Sequence, residues 1–228
     1  MALNKQSGNM YMWVSHTWNP IKGECGHGCS YCYMKSMPGY VVMKKEIRGV
    51  EDELKHGHGK GKTIFVCSGI DMFCDAVPSE MIRRVLQFAS RFDNEYLFQS
   101  KNPVRFLEFV NQFPARTILG TTIETNREEL IEEVSKAPRV LYRATAMKRV
   151  PDKFKKMVSI EPIMDFSLLS MVSIIKDIKP EFVTIGADSK LHGLVEPPWE
   201  KIETLIFELT KITEIRQKTN LNRLRTRT

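Results

Sequence analysis

Six short runs of apolar and β-branched residues, each closed by turn or polar residues, alternate with stretches of helical spacing. The runs cover residues 13–17, 63–67, 96–99, 117–124, 157–161 and 182–185. Helical stretches are expected over 79–92, 104–113, 127–137, 167–178 and 199–215. In the first of these, Met81, Val85, Phe88 and Phe92 recur at three and four residues, behind a Pro78-Ser79 start signal. Alternation of this kind implies a parallel sheet covered by helices. Six units are too few for an eight-fold barrel, so the expected fold is α/β, a partial (βα)6 barrel in a single domain over residues 1–215. A basic tail, 216–228, follows.

With 228 residues the chain suits one well-buried domain. No apolar run approaches the length that spans a bilayer, and the N-terminus lacks a signal-peptide pattern. Five cysteines, an odd number and clustered, argue against a secreted disulfide framework and for a reducing cytoplasm. The net charge of +7 is uneven. No acid follows Glu214, whereas Arg216, Lys218, Arg223, Arg225 and Arg227 are basic, and without them the body is close to neutral, about +2. The tail reads either as a solvated end or as an arm that follows a phosphate backbone.

In a parallel barrel the chemistry belongs at the C-terminal ends of the strands. After the first run comes Cys25-Gly-His-Gly-Cys29-Ser-Tyr-Cys32, three of the chain's five cysteines within eight residues. Three thiolates can hold three irons of a cubane cluster and leave the fourth open to a ligand. The alternative is zinc, with His27 or His16 completing a tetrahedron. Ser68-Gly69-Ile70-Asp71 follows the second run, Thr122 and Glu124 end the fourth, Ser159-Ile160-Glu161-Pro162 the fifth, and Gly186-Ala187-Asp188-Ser189 the sixth.

Cys25, Cys29 and Cys32, placed after a first strand in a six-unit βα chain, resemble the radical S-adenosylmethionine superfamily. Ser159–Pro162 and Gly186–Ser189 are similar to strings of its spore photoproduct lyase-like, phage-associated branch, from which this chain departs at Ala187 and Asp188. The resemblance spans residues 13–189. It implies a 4Fe–4S cluster on Cys25, Cys29 and Cys32, with S-adenosylmethionine chelating the open iron and yielding a 5′-deoxyadenosyl radical on reduction. Tyr31 matches the aromatic that packs on the adenine. Ser68, Gly69, Asp71, Thr122, Glu124, Ser159 and Glu161 are the implied cofactor-binding residues, and an electron donor such as flavodoxin or ferredoxin is the implied partner. Lys101 resembles a position near cofactor or substrate. That branch also uses a protein thiol as hydrogen donor, at a position not matched here; Cys74, which follows the second run, reads as core or loop packing, with a radical role at the barrel mouth as the alternative.

Arg139, Tyr142, Arg143 and Lys148 interleave basic and aromatic residues, which suits phosphate contact and base stacking or an ordinary helix face. Arg143 and Asp188 join Lys101 as substrate candidates. Cys67 reads as core, His56 and His58 as a surface loop, and most of Met34, Met37 and Met43 as core filler. The expected function is radical chemistry on a base in DNA or RNA, for repair, rearrangement or hypermodification. A free nucleoside, a small metabolite or a peptide is the alternative substrate. A zinc-bearing nucleic-acid-binding module is the reading from another class.

Overall fold

The computed structural model describes residues 3–6, 8, 10–40 and 45–226; Met43 and Arg227 lie outside them. The chain enters through β1 (Asn4–Lys5), which pairs antiparallel with β2 (His16–Trp18). A small hairpin follows, β3 (Ile21–Lys22) on β4 (Arg48–Gly49), with the cysteine loop between its strands. Then come β5 (Thr63–Val66), α1 (Ser79–Ala89), β6 (Glu95–Ser100), β7 (Thr117–Thr122), α2 (Glu128–Val134), α3 (Val140–Arg149) and β8 (Lys155–Ile160). The chain continues through α4 (Leu168–Ile178), β9 (Phe182–Ile185), α5 (Trp199–Thr210), β10 (Glu214–Gln217) and α6 (Asn222–Arg225). The main sheet has the order β1-β2-β5-β6-β7-β8-β9-β10, parallel from β2 onward. Its two edge strands do not pair with each other, so the sheet is an open barrel with helices outside.

All six anticipated strands are present, and β10 adds a seventh parallel one. It was concealed in the stretch read as the end of a helix and the start of a tail. The β-branched Ile212, Thr213 and Ile215 favour extended backbone, and pairing Glu214–Gln217 with β9 satisfies it. The boundary expected after residue 215 therefore falls inside a strand. Beyond it, Leu221 and Leu224 are buried, and Arg216, Lys218 and Arg223 pair with Glu214, Glu161 and Glu196. Arg225 lies over the Trp199 ring. The expected solvated or free basic arm is, over the described residues, a docked element whose charges are largely matched.

Two other segments differ from their sequence reading. Residues 104–113 form a 3-10 helix over Pro103–Phe109, because Pro103, Phe106 and Phe109 are buried at a spacing of three, which is one 3-10 turn. Trp13 does not belong to β2. The chain before that strand crosses the inner face of the sheet, where Tyr11 stacks on Trp13 and Trp13 meets Phe182 edge-on. These rings pack with Val14, Leu97, Ile118 and Met157 as a small inner core, separate from the large core between sheet and helices.

Candidate active site at the cysteine loop

The period-two alternation of strands decides what reaches the barrel interior. From β6 it selects Leu97 and Gln99, from β7 Ile118, Gly120 and Thr122, and from β8 Met157 and Ser159. The lower positions are apolar and the upper ones polar. Tyr11 plugs this lumen: its hydroxyl donates to Gln99 Oε1 (2.9 Å) and its oxygen lies 3.0 Å from Ser159 Oγ, which has its own proton to give, while Gln99 Nε2 donates to Thr122 Oγ1 (3.1 Å). Burial, then the charge of Glu161, push the Tyr11 phenol up to about 12. Ser159 and Thr122 are thus spent on a neutral floor, set back from the mouth where cofactor contacts were expected.

Above the floor, four residues singled out separately from the sequence meet in one cluster. Glu124 and Arg143 are wholly buried, and Arg143 Nη1 donates to Glu124 Oε2 (2.7 Å). Lys101 Nζ pairs with Glu124 Oε1, and Tyr31 donates its hydroxyl to the same oxygen (2.5 Å). Lys101 Nζ also lies 3.0 Å from the Tyr31 oxygen and 4.9 Å from its ring centroid. Burial works to raise the Glu124 carboxyl, but the charges of Arg143 and Lys101 outweigh it and hold the carboxyl far below the ordinary range. Burial, then Glu124, hold the Tyr31 phenol well above its own range. Arg143 also donates to the carbonyls of Pro138 and Thr122. As placed, its guanidinium is wholly buried as the counterion of Glu124, with Nη2 left without a partner among the described residues, and not on the open face expected of a substrate contact. Its neighbours on α3 are similarly engaged: Arg139 lies near Glu128 and Glu132, and Lys148 pairs with Asp177. Tyr142 is exposed, and Arg139 and Lys148 are exposed beside it despite their surface ion pairs.

The cysteine loop alternates too. Gly26, Gly28 and Ser30 are exposed, whereas His27, Cys29 and Tyr31 are buried. His27 Nε2 lies 2.8 Å from Asp71 Oδ2, which also accepts from Ser100 Oγ and the Lys101 backbone N–H. Although burial works to raise it, these donors hold the Asp71 carboxyl below its ordinary value. Asp71 is therefore a hub that ties the loop to β6, with its oxygens occupied. The Phe73 backbone N–H fills Oδ1. On the other side the junction between α2 and α3 grips the loop: Ser30 N donates to Val134 O (2.8 Å), Lys136 N to His27 O (2.7 Å), and Ser135 Oγ lies 3.1 Å from Cys29 Sγ.

All five cysteines are free. Burial, then the Asp71 charge, push the Cys25 thiol up to about 11, and burial raises the Cys32 thiol. As placed, no three His, Cys, Asp or Glu side chains among the described residues converge as for a single ion. The donor chemistry does fit a cubane, in which each thiolate takes its own iron: three reduced thiols on one clamped loop, without a carboxylate inserted among them. Zinc fits less well, because a single ion needs its ligands to converge, and as placed they do not; His27 holds Asp71 through Nε2, and His16 lies at the start of β2 with Nδ1 on Ser15 Oγ.

The remaining candidates divide. Ser68 Oγ and the Gly69 N–H share Asn19 Oδ1, and Tyr33 donates to the Ser68 carbonyl, beside the loop. Cys67, buried as expected, turns the chain there with a φ of 56°. Glu161 accepts from Lys218 Nζ (2.8 Å) and Asn220 Nδ2 (3.2 Å) at the rim. Gly186 is required beneath it, since a Cβ there would lie 2.8 Å from Glu161 Cδ. Asp188 accepts from the backbone N–H groups of Lys190 and His192 and from the His192 ring, so its carboxylate organises its own loop instead of facing substrate. Cys74 is buried under the loop, close to the Gly26, Ala76 and Val77 backbone, in line with the packing reading and away from the mouth that a radical role would need. His58 is not on a surface loop. Its ring is enclosed by Trp18, Phe88, Phe92 and Tyr96, with Nδ1 2.9 Å from the Tyr96 hydroxyl, whereas His56 is exposed. Met34 packs near Gly69 and Met37 is exposed.

A family model described as "Protein of unknown function (DUF5131)" matches residues 9–199. The chain belongs to the DUF5131 family. Within that match lie the loop, the hub and the buried cluster. No curated protein matches the sequence. Among solved structures, this DUF5131 chain is similar to a cysteine-to-serine variant of spore photoproduct lyase, at 11% identity and a TM-score of 0.67, over 94% of this chain and 79% of the other. A tyrosine-to-phenylalanine variant aligns at 10% identity and a TM-score of 0.66, over 93% and 78%. A third, with bound AdoMet and dinucleoside spore photoproduct, aligns at 12% and 0.58, over 91% and 64%. At these identities the likeness establishes the fold. Among the described residues no helix is long and apolar enough to cross a membrane.

Proposed function

We propose that this protein is a radical S-adenosylmethionine enzyme acting on a base in DNA or RNA. One observation carries the reading: a clamped loop with three free thiols follows the first parallel strand of an open barrel whose fold is that of spore photoproduct lyase. Cys25, Cys29 and Cys32 would hold a 4Fe–4S cluster. When bound, cluster and S-adenosylmethionine together supply one-electron cleavage of the sulfonium. Ser68, Gly69, Tyr31, Lys101 and Glu161 would hold the methionyl and adenosyl parts, with Glu124 acting through the Tyr31 and Lys101 it clamps. The chain's own contribution is positioning and exclusion of water. Glu124, clamped by Arg143 and Lys101, fixes the Tyr31 ring, and Tyr11 closes the lumen from below.

A nucleobase substrate is supported by the fold's likeness to a lyase solved with a dinucleoside photoproduct. The basic tail and Arg143 lend no support, being engaged within the fold. A low-potential donor of the flavodoxin or ferredoxin class completes the scheme.

Protein purified without oxygen should be brown, carry about four irons per chain, and on reduction convert S-adenosylmethionine to 5′-deoxyadenosine. Deuterium from labelled DNA or RNA should appear in that product. Failure to assemble a cluster, or cleavage by Cys29→Ala at the parent rate, overturns the reading. Label transfer from a nucleoside, metabolite or peptide, with none from a polymer, overturns the substrate alone.

A further inference from the structure

We infer that Ser135 is a positioning residue that donates a hydrogen bond to the Cys29 thiolate and thereby sets how readily the cluster is reduced; this rests on the cluster reading above. Ser135 follows α2, and its Oγ is buried with three neighbours. The Ala137 backbone N–H donates to it (3.1 Å), Cys29 Sγ lies at 3.1 Å, and the His27 carbonyl at 3.4 Å. A hydroxyl has one proton to give. The N–H of Ala137 fills one lone pair, so the proton must go to the sulfur or to the carbonyl. That carbonyl already accepts from Lys136 N at 2.7 Å, and the serine lies farther from it than from the sulfur. Once Cys29 is a ligand it carries no proton, so the serine is the donor of the pair.

The backbone enforces this arrangement. Ser30 N on Val134 O and Lys136 N on His27 O bracket the contact on both sides, which holds the two backbones in register and keeps Oγ within reach of Sγ. On reduction the cluster takes one electron from a low-potential donor, and the added negative charge is shared by its sulfurs. A hydrogen bond to a ligating sulfur is stronger in that state and favours it. The proton remains on Ser135 throughout. Charge-assisted hydrogen bonds outweigh neutral ones, and losing part of one on oxidation corresponds to a roughly tenfold change in the reduced-to-oxidised ratio, about 59 mV for a one-electron couple.

The test is a dithionite redox titration of reconstituted protein followed by electron paramagnetic resonance, with iron and sulfide counted for each variant. Ser135→Ala should load the cluster and titrate at a potential lower by that amount, and Ser135→Thr, which keeps the hydroxyl, should titrate with the parent. In the parent, a strongly coupled exchangeable proton should vanish in D2O. It should be missing from Ser135→Ala and present in Ser135→Thr. A parent that loads the cluster but shows no such proton overturns the inference without any variant. So does a Ser135→Ala potential within about twofold of the parent in that ratio. A parent that assembles no cluster overturns the enzyme reading and this inference with it.

Discussion

Replacing Glu124 by glutamine tests the buried cluster at its centre. Glutamine keeps the shape but removes the charge, leaving Arg143 wholly buried and Lys101 only 17% exposed without a counterion. It also introduces an amide N–H2 where the native carboxylate meets only donors, so one end must face Arg143 or Lys101 donor to donor. Breaking one partner out of a buried pair costs about 3–5 kcal/mol. Arg143 retains the carbonyls of Pro138 and Thr122, which places the loss at the lower end of that range. For a chain of this size, about 3 kcal/mol corresponds to a Tm lower by roughly 6–12 °C.

The pH dependence has a fixed sign. The folded Glu124 carboxyl lies below its ordinary 4.5, so its contribution is complete above about 4.5 and is lost as pH falls from there toward the folded value. Urea denaturation from pH 7 to 3 should show the parent weakening over that acid window and Glu124→Gln weakening less. Combining Glu124→Gln with Arg143→Met should cost less than the sum of the two, by more than about 1 kcal/mol. A single-variant loss below about 1 kcal/mol, or additivity in the pair, would show the charges to be solvated and refute the reasoning.

His58 is held neutral by burial, with its imidazole lowered to about 4 from 6.5. The unfolded chain therefore gains a proton first as pH falls from 6.5 to 4, and the stability lost there, up to about 3 kcal/mol, should be absent from His58→Leu in the same denaturation series. Gly186→Ala should cost about 1–3 kcal/mol by forcing Glu161 off Lys218. In a Glu161→Ala background, where the obstacle is gone, the cost should fall below roughly 0.5 kcal/mol, and an equal cost in both backgrounds would place the clash elsewhere. Ending the chain after residue 215 should abolish cooperative unfolding, since it removes half of β10 and two buried leucines, each contributing about 1.5–3 kcal/mol. An unchanged Tm would restore the free-arm reading of the tail.

Much of this molecule could be read from its chain because local signals and tertiary placement agree there. The strands from Thr63 onward are short and β-branched, and in a parallel barrel such runs are buried on both faces. Tyr31, Lys101, Glu124 and Arg143 lie on the segments that follow or join these strands, and the structure brings them together. What spacing could not carry is which of these groups meet. Arg143 reads as basic in a row of basic residues, and nothing local says that its helix faces inward. The fold turns it into the counterion of Glu124 by packing α3 beneath β7. His58 follows the same logic in reverse, since glycines on both sides suggest a surface loop until the aromatic wall of α1 and β6 closes over it.

Tyr11 and Ser135 carry no signal in the sequence, and Lys218 reads there only as one charge of a basic tail, for a different reason: each acts through a partner tens of residues away or more. Tyr11 meets Ser159 across 148 residues and Ser135 meets Cys29 across 106. A lone tyrosine near a terminus, or a serine after a helix, has no period that could single it out. The three residues share one property that a search could use. Each brings a polar atom to a position that the strand alternation or the cysteine loop leaves unsatisfied. Gln99 and Ser159 meet the Tyr11 hydroxyl in the lumen, Glu161 takes a cation at the rim, and the buried Cys29 sulfur meets the Ser135 hydroxyl. Buried polar groups must be partnered, so an inward-facing Gln99, Glu161 or Cys29 implies a complement supplied from elsewhere in the chain. In this fold the complements come from segments other than the strands themselves, which is why the N-terminal crossing, the α2–α3 junction and the docked C-terminus shape the candidate site along with the strands.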